Sequence, residues 1–287
     1  MRPDVSVVVI TRDRAELLAT TLGHLGALPE RPPVIVVDNG SVDGSPEMVR
    51  DRYPEATVVA LPVNRAAAAR QIGARLAATP YVAFADDDSW WSPGGLERAV
   101  AYLDAHPTVA LVAARVLVGG EERLDPTSAV MATSPLGPGP GGEGRAVLGF
   151  LACAAVVRRD AFLFAGGFPE RFGVGGEEDP LTLALATAGW DLVYLDDVVV
   201  HHHPATGRDP ARRRRGQARN ALWTAWLWRS PAVAVRATLR TMAGACGDPA
   251  LAAALVDAAG GWGWVRRQRR RVPPSVEAQL RRLELAG

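Results

Sequence analysis

Residues 81–90 read YVAFADDDSW, an apolar run ending directly on three carboxylates. Tyr81 to Ala85 has the character of a buried strand, and three acids packed at its end without a cation would repel one another strongly. On an extended backbone alternate residues share a face, so Asp86 and Asp88 are expected to point one way and Asp87 the other. Two carboxylates on one face suit a hard divalent ion, Mn2+ or Mg2+, shared with diphosphate oxygens. The plain alternative is an acidic turn in which Asp88 caps a helix near Ser92-Pro93.

Working outward, Val5–Ile10 and Val34–Val37 repeat the β-branched character of that run. Between them Leu17, Leu18, Leu22, Leu25 and Leu28 recur at helical spacing, and further helices are expected from about Asp43 or Ser45 and over Asn64–Ala78. Strands alternating with helices imply an α/β fold with a mostly parallel central sheet covered on both faces. In such sheets ligands bind beyond the carboxyl ends of the strands. The residues at those ends are Thr11, Arg12 and Asp13, then Asp38, Asn39 and Gly40, then the aspartate triplet: one polar crevice. Asp38 can accept hydrogen bonds from a base imide or a ribose hydroxyl, although a structural Asx turn explains it equally well. Arg70, on the helix before the third run, reaches toward a phosphate or the acids, or is an exposed helix arginine.

The middle of the chain changes texture. Ser134–Arg145, SPLGPGPGGEGR, reads as a loop without helix or strand, either a linker or a lid beside the cleft. Gly166-Gly167-Phe168-Pro169 makes a turn before the acidic Glu177-Glu178-Asp179; Pro180–Ala188 is helical, Gly189 ends it, and Leu192–Val200 is a last strand running into His201-His202-His203. On a strand His201 and His203 share one face, His202 the other, and one imidazole can complete the shell of a Mn2+ ion. Trp90 and Trp91 follow the triplet and are candidates for stacking on an acceptor, with core packing expected for at least one. Residues 1–205 form the catalytic unit, a nucleotide-binding half (1–115) and an acceptor half (116–205). Residues 206–287 form a helical C-terminal region rich in Arg and Trp. Its segment 208–219 holds six arginines against one aspartate, suited to an anionic lipid surface, a phosphate-bearing acceptor, the catalytic unit itself or a second copy of the chain.

Composition excludes several classes. A net charge of +1 gives no field for nucleic acid. Cys153 and Cys246 lack zinc spacing and are expected as buried free thiols. No leader or apolar stretch of membrane-spanning length is evident, so a cytoplasmic protein, at most peripheral at a membrane, is expected. TRDRAELL after the first strand lacks the glycines of a nucleotidyltransferase or nicotinamide enzyme.

Together these motifs resemble family 2 of the GT-A fold glycosyltransferases over roughly residues 5–205. VSVVVITRDR is similar to the first strand and nucleotide loop, here Thr11, Arg12 and Arg14, and VIVVDNGSVDGS to the second strand with the base-binding Asp38 and its neighbour Asn39. NRAAAARQIG (64–73) resembles the Asn-x-Gly and Ala-Arg-Asn-x-Gly helix: Asn64 and Arg70 match, while Ala66 replaces the usual Gly and Gln71 the usual Asn. The triplet resembles the metal-binding DxD, with Asp86 and Asp88 as ligands and Asp87 on the donor. VVVHHHP resembles the terminal strand with a metal-associated His, His201 first and His203 second. Gly-Gly-Phe at 166–168 resembles the turn before a catalytic Glu-Asp pair. Counting back about eleven residues from Gly189 favours Glu178 as base with Glu177 before it; the literal Glu178-Asp179 match makes Asp179 the base.

The resemblance implies inverting transfer of a sugar from a UDP-, dTDP- or GDP-linked donor, with a divalent metal, onto a glycan, lipid-linked or small-molecule acceptor. A silent nucleotide-sugar binding module and a nucleotidyltransferase are the rival readings.

Overall fold

β-branched and aromatic residues pack well on a pleated surface, and their runs become the sheet. The computed structural model describes residues 4–205 and 209–286. Its strands are β1 (Val5–Thr11), β2 (Val34–Asp38), β3 (Thr57–Ala60), β4 (Tyr81–Asp86), β5 (Ser89–Trp91), β6 (Val109–Val118), β7 (Arg123–Leu124), β8 (Arg145–Ala146), β9 (Ala155–Arg158) and β10 (Asp191–His202). They form one sheet in the order β3-β2-β1-β4-β9-β6-β10-β5, with β7 on β6 and β8 on β10. The helices are α1 (Ala15–Gly26), α2 (Ser45–Arg52), α3 (Ala69–Leu76), α4 (Gly95–Ala105), α5 (Pro126–Ala132), α6 (Arg159–Phe164) and α7 (Glu178–Thr187). A C-terminal group follows: α8 (Pro210–Trp228), α9 (Pro231–Ala245), α10 (Pro249–Gly260), α11 (Trp262–Gln268) and α12 (Pro274–Ala286).

The first half is parallel, as alternation implies, but β9 runs antiparallel to both β4 and β6. It enters from the crevice edge through a one-turn helix at Ala152–Ala154, so it must run backwards. Strand alternation divides the core. Val7 and Val9 face α1 and α4 with Leu18, Leu22, Leu96 and Leu103, while Val8, Val82 and Phe84 face α3, α6 and α7 with Phe162, Phe168 and Leu181. Gly73 brings α3 directly onto β1, because a Cβ there would lie 2.4 Å from a Val8 methyl. A third core, containing Phe172, Leu183, Trp223, Leu227 and Val265, joins α7 to the C-terminal helices. Among the described residues no helix is long and apolar enough to cross a membrane.

Two expectations are corrected. Residues 134–145 are not a structureless lid. Pro140–Gly142 forms a tight turn with Gly141 and Gly142 in left-handed backbone, and β8 pairs with β10. The turn is held by the Tyr102 hydroxyl donating to the Pro140 carbonyl at 2.9 Å and by the Arg98–Glu143 ion pair at 2.7 Å. Its glycines are what allow this order, letting the backbone press against Tyr102, His106 and Tyr194 where side chains would collide. Of the two free cysteines, Cys153 is buried but Cys246 is exposed.

Ala66 holds a left-handed backbone (φ 49°), which costs an L residue about 1–2 kcal/mol. Ala66→Gly is expected to stabilise the chain by about 0.5–1 kcal/mol. Gly73→Ala should cost about 1–3 kcal/mol by forcing α3 off β1. Paired denaturant titrations check both signs.

Candidate active site

The register of the sheet assembles the crevice, since Ile10 lies opposite Asp86 and Thr11 opposite Asp38. Asp86 is the last residue of β4. Asp87 and Asp88 form a tight turn into β5, and the Asp86 N–H donates to Ser89 Oγ at 2.8 Å. Strand alternation therefore does not aim these carboxylates, contrary to expectation; the turn sends each a separate way. Asp86 forms an ion pair with the buried Arg70. Asp87 accepts from Thr11 Oγ1 at 3.0 Å and from Arg14 at 2.9 Å. Asp88 accepts the Ala205 N–H at 3.2 Å and lies 3.7 Å from Arg14. Thr21, on α1, donates to the Asp87 carbonyl and fixes the turn from below. Burial pushes the Asp87 carboxyl up to about 6 against the pull of Arg14, while Asp88 and Asp86 push it further up.

Of the three histidines, His202 approaches the triplet, with Nε2 3.3 Å from Asp88 Oδ1. His201 instead contacts Ser92 Oγ at 2.8 Å and Glu122 at 3.1 Å, and the His203 ring leans on Trp90 at 4.7 Å between centroids. Strand alternation separates the three side chains as expected, but it is His202 that meets the acid. Among the described residues no cluster of three or more His, Cys, Asp or Glu is arranged to hold a metal ion. His202 Nε2 is nonetheless buried and has no hydrogen-bond partner among the described residues. With Asp88 beside it and Asp86 two residues away, the donor chemistry fits Mn2+ or Mg2+.

On the other side of the crevice Asp38 is 1% exposed and serves its own loop, accepting the Gly40 and Ser41 N–H groups at 3.1 and 2.9 Å and the Ser41 hydroxyl. Asn39 holds the next loop, its Oδ1 accepting the Arg65 N–H at 3.0 Å, and Asn64 Oδ1 accepts the Ala66 N–H at 2.7 Å. Arg12 is exposed and pairs with Asp13 at 3.4 Å. Gln71, where the resemblance left a mismatch, donates to the Gly166 and Phe168 carbonyls and so ties α3 to the Gly-Gly-Phe turn.

That turn leads to the acidic segment, and here the two acid groups meet. Arg70, 5.4 Å above the Phe168 ring, acts on both Glu177 and Glu178. Burial raises the Glu178 carboxyl above its ordinary range; Arg70 lowers it and Asp86 raises it. Its Oε1 accepts the Ala152 N–H at 3.4 Å. Glu177, 3% exposed, accepts the Gly175 N–H and is pushed up to about 8, first by burial and then by Glu178. Asp179 faces elsewhere, into a cavity bounded by C-terminal helices. The protein around it and then Glu178 raise its carboxyl, and neither Arg70 nor Asp86 is among the groups that shift it.

The tryptophans are not free platforms. Trp91 is 1% exposed, its indole N–H donating to the Phe84 carbonyl at 3.2 Å, so it belongs to the core. Trp90 is stacked on His24 at 4.0 Å and flanked by His203, so its faces are largely covered. Sequence reading missed Asn220, which is fully buried on α8 and donates to the Phe172 and Gly175 carbonyls at 2.8 and 2.7 Å, with Arg219 joining at Phe172. A buried Asn needs partners, but nothing in the local sequence says which. In the arginine segment Arg214 pairs with Asp248 and Arg215 with Asp257 at 2.7 and 2.6 Å, while Arg208 lies outside the described residues.

Comparison with known proteins identifies the family. Residues 6–163 match the family described as glycosyl transferase family 2. The chain is 29% identical over 248 residues to an N-acetylglucosaminyl-diphospho-decaprenol L-rhamnosyltransferase of Mycobacterium tuberculosis, covering 71% of this chain and 78% of that one. It is 33% identical over 219 residues to a pre-mycofactocin glycosyltransferase of the same organism, covering 74% of this chain but 45% of that one. Among solved structures, a Pyrobaculum calidifontis mannosyltransferase in complex with GDP-Man and Mn2+ superposes with a TM-score of 0.60 at 22% identity, over 99% of this chain and 87% of that chain. GalNAc-T7 with UDP, GalNAc and Mn2+ gives 0.60 at 14%, over 78% and 48%. The fold is that of these GT-A enzymes, and the chain belongs to glycosyl transferase family 2, as a nucleotide-sugar glycosyltransferase.

Proposed function

We propose that this glycosyltransferase inverts configuration at the anomeric carbon in one displacement, with Glu178 as the base. The supporting observation is the shared guanidinium of Arg70, which pairs with Asp86 and acts on Glu178 while leaving Asp179 out of its reach. A base must face the acceptor while the diphosphate leaves from the other side of the sugar, and two acid groups joined through one cation meet that need. Glu178 takes the proton of the attacking hydroxyl. Its raised pKa makes it a stronger base than an ordinary glutamate. Asp86, Asp88 and His202 would hold Mn2+ or Mg2+, which when bound supplies positive charge against the charge developing on the leaving nucleoside diphosphate. Arg14 secures Asp87 and steadies the turn that presents the other two acids.

The donor is a UDP-, dTDP- or GDP-linked sugar held over Thr11, Arg12, Asp38, Asn39, Asn64 and Arg70. For nucleotide contact Asp38 must share or release the hydrogen bonds it accepts from its own loop, while its neighbour Asn39 keeps the rim in place. The relatives that act on a diphospho-decaprenol intermediate and on pre-mycofactocin favour a lipid-linked or otherwise glycosylated acceptor. A thermal-shift panel of UDP, dTDP and GDP with Mn2+ identifies the base, since the cognate ligand raises the melting temperature by mass action. Donor binding with no transfer and no donor hydrolysis would make the chain a binding module instead.

Glu178→Gln should lower turnover about 10²–10⁴-fold while calorimetry still shows nucleotide binding. Asp179→Asn should leave turnover within a few-fold of the parent, and the reverse pattern would make Asp179 the base. Because the base acts only when ionised and its pKa is raised, kcat/KM should fall as pH drops, at a pH above the ordinary glutamate range. Asp88→Ala and His202→Ala should weaken Mn2+-dependent donor binding by about tenfold or more, and His201→Ala should not.

A further inference from the structure

Residues 209–287 carry fifteen arginines against five acids, in a chain whose net charge is +1. In the arginine segment at the start of this region, Arg214 and Arg215 are spent on Asp248 and Asp257 at α10. The next helix offers a different basic surface. α9 (Pro231–Ala245) contains two arginines and no acid. A helix that only closes a core turns its larger apolar residues inward. Beyond Val233, α9 does the reverse. Ala234 is buried and Ala237, Thr238 and Thr241 are half-buried, whereas Val235, Leu239 and Met242, which share one face, are 45%, 58% and 52% exposed.

That apolar strip is bordered on both sides. Arg236 and Arg240 follow one position round the helix, both exposed and with no acid within ion-pair distance among the described residues. On the other flank Thr238 accepts the Trp226 indole N–H at 3.0 Å, and Trp262, 42% exposed, meets the Trp226 ring edge-on at 5.0 Å between centroids. Arg266, one turn beyond Trp262 on α11, is exposed and also without an acid partner among the described residues.

Packing within the chain leaves this strip in water, which disfavours it, and its border says what would cover it. A second copy meeting it face to face would set Arg236 and Arg240 against the same arginines, with no acid on α9 to answer them. An anionic bilayer meets both needs, since guanidinium groups reach lipid phosphates, an indole sits at the headgroup level and the apolar strip enters the acyl boundary. We propose that the exposed face of α9, with Trp262 and Arg266 beside it, docks the protein on an anionic membrane surface. The helix lies in the plane of the interface and does not cross it. The proposal is independent of the transferase reading, because this contact involves neither the crevice nor Glu178.

Co-sedimentation of the full chain with phosphatidylcholine vesicles, with and without phosphatidylglycerol, tests it. Anionic vesicles should bind about tenfold or more tightly than neutral ones, and Arg236→Gln with Arg240→Gln should remove most of that preference. Leu239→Glu and Met242→Glu, each placing an acid on the apolar strip, should each weaken binding to anionic vesicles by about tenfold. Phe164→Glu, at an exposed apolar site on α6, should leave it unchanged. All these substitutions fall on exposed side chains. Brominated phosphatidylcholine mixed into the anionic vesicles should quench the parent's tryptophan emission, and Trp262→Phe should reduce that quenching. Failure to pellet with anionic vesicles overturns the proposal. So does binding that salt abolishes but neither acid variant weakens, which would mark charge attraction without a docked face. A concentration-dependent dimer in sedimentation velocity, dissolved by Leu239→Glu, would give the face to a second copy instead.

Discussion

One buried guanidinium organises this molecule's chemistry. Arg70 is 3% exposed, and a charge so far from water persists only where opposite charges and hydrogen bonds compensate its lost hydration. Here the compensation comes from Asp86 on one side and the glutamate pair on the other, with the Phe168 ring beneath. Take the cation away and two acid groups from distant parts of the chain would repel across the same crevice. The placement of α3 thus decides the site. The left-handed turn at Ala66 starts that helix, the bare Gly73 presses it onto β1, and Gln71 latches it to the turn ahead of Glu177.

The strands that frame the crevice were legible because each is an apolar β-branched run ending on polar residues, a pattern set by burial alone. The same holds for α1, α3 and α7, whose spacing or caps are local. The direction of β9 was not legible. An apolar segment does not state which way it crosses a sheet, and only the turn that delivers it decides. The glycine-rich segment 134–145 was misread for a related reason. Glycine signals freedom when nothing is nearby, but it also permits close packing when a partner is present, and here Tyr102, His106 and Tyr194 supply one.

At the site itself, the residue types were readable and their aim was not. Asp86–Asp88 were identified as a group, yet a tight turn rather than an extended backbone distributes them, so the alternation argument met its limit at the last residue of β4. The histidine triplet shows the same limit. Alternation separated His202 from its neighbours, but which face meets Asp88 depends on how β10 lies against β5 and β6. The count from Gly189 singled out Glu178 from helix length, a local property, whereas the influence of Arg70 on Glu177 and Glu178 depends on how α3 lies against α7.

Asn220 shows how the two parts of the chain are related. Its amide closes the carbonyls of Phe172 and Gly175, so the loop that presents the acids is built by a helix which follows it by some forty residues. That loop lies beyond residues 6–163, the segment matched to the family, and a C-terminal helix supplies part of its scaffold. In this protein the core behaves less like an interchangeable cassette than like a lock whose last pin is cut into a separate part, and a change in the C-terminal helices can retune the chemistry without altering a residue that performs it.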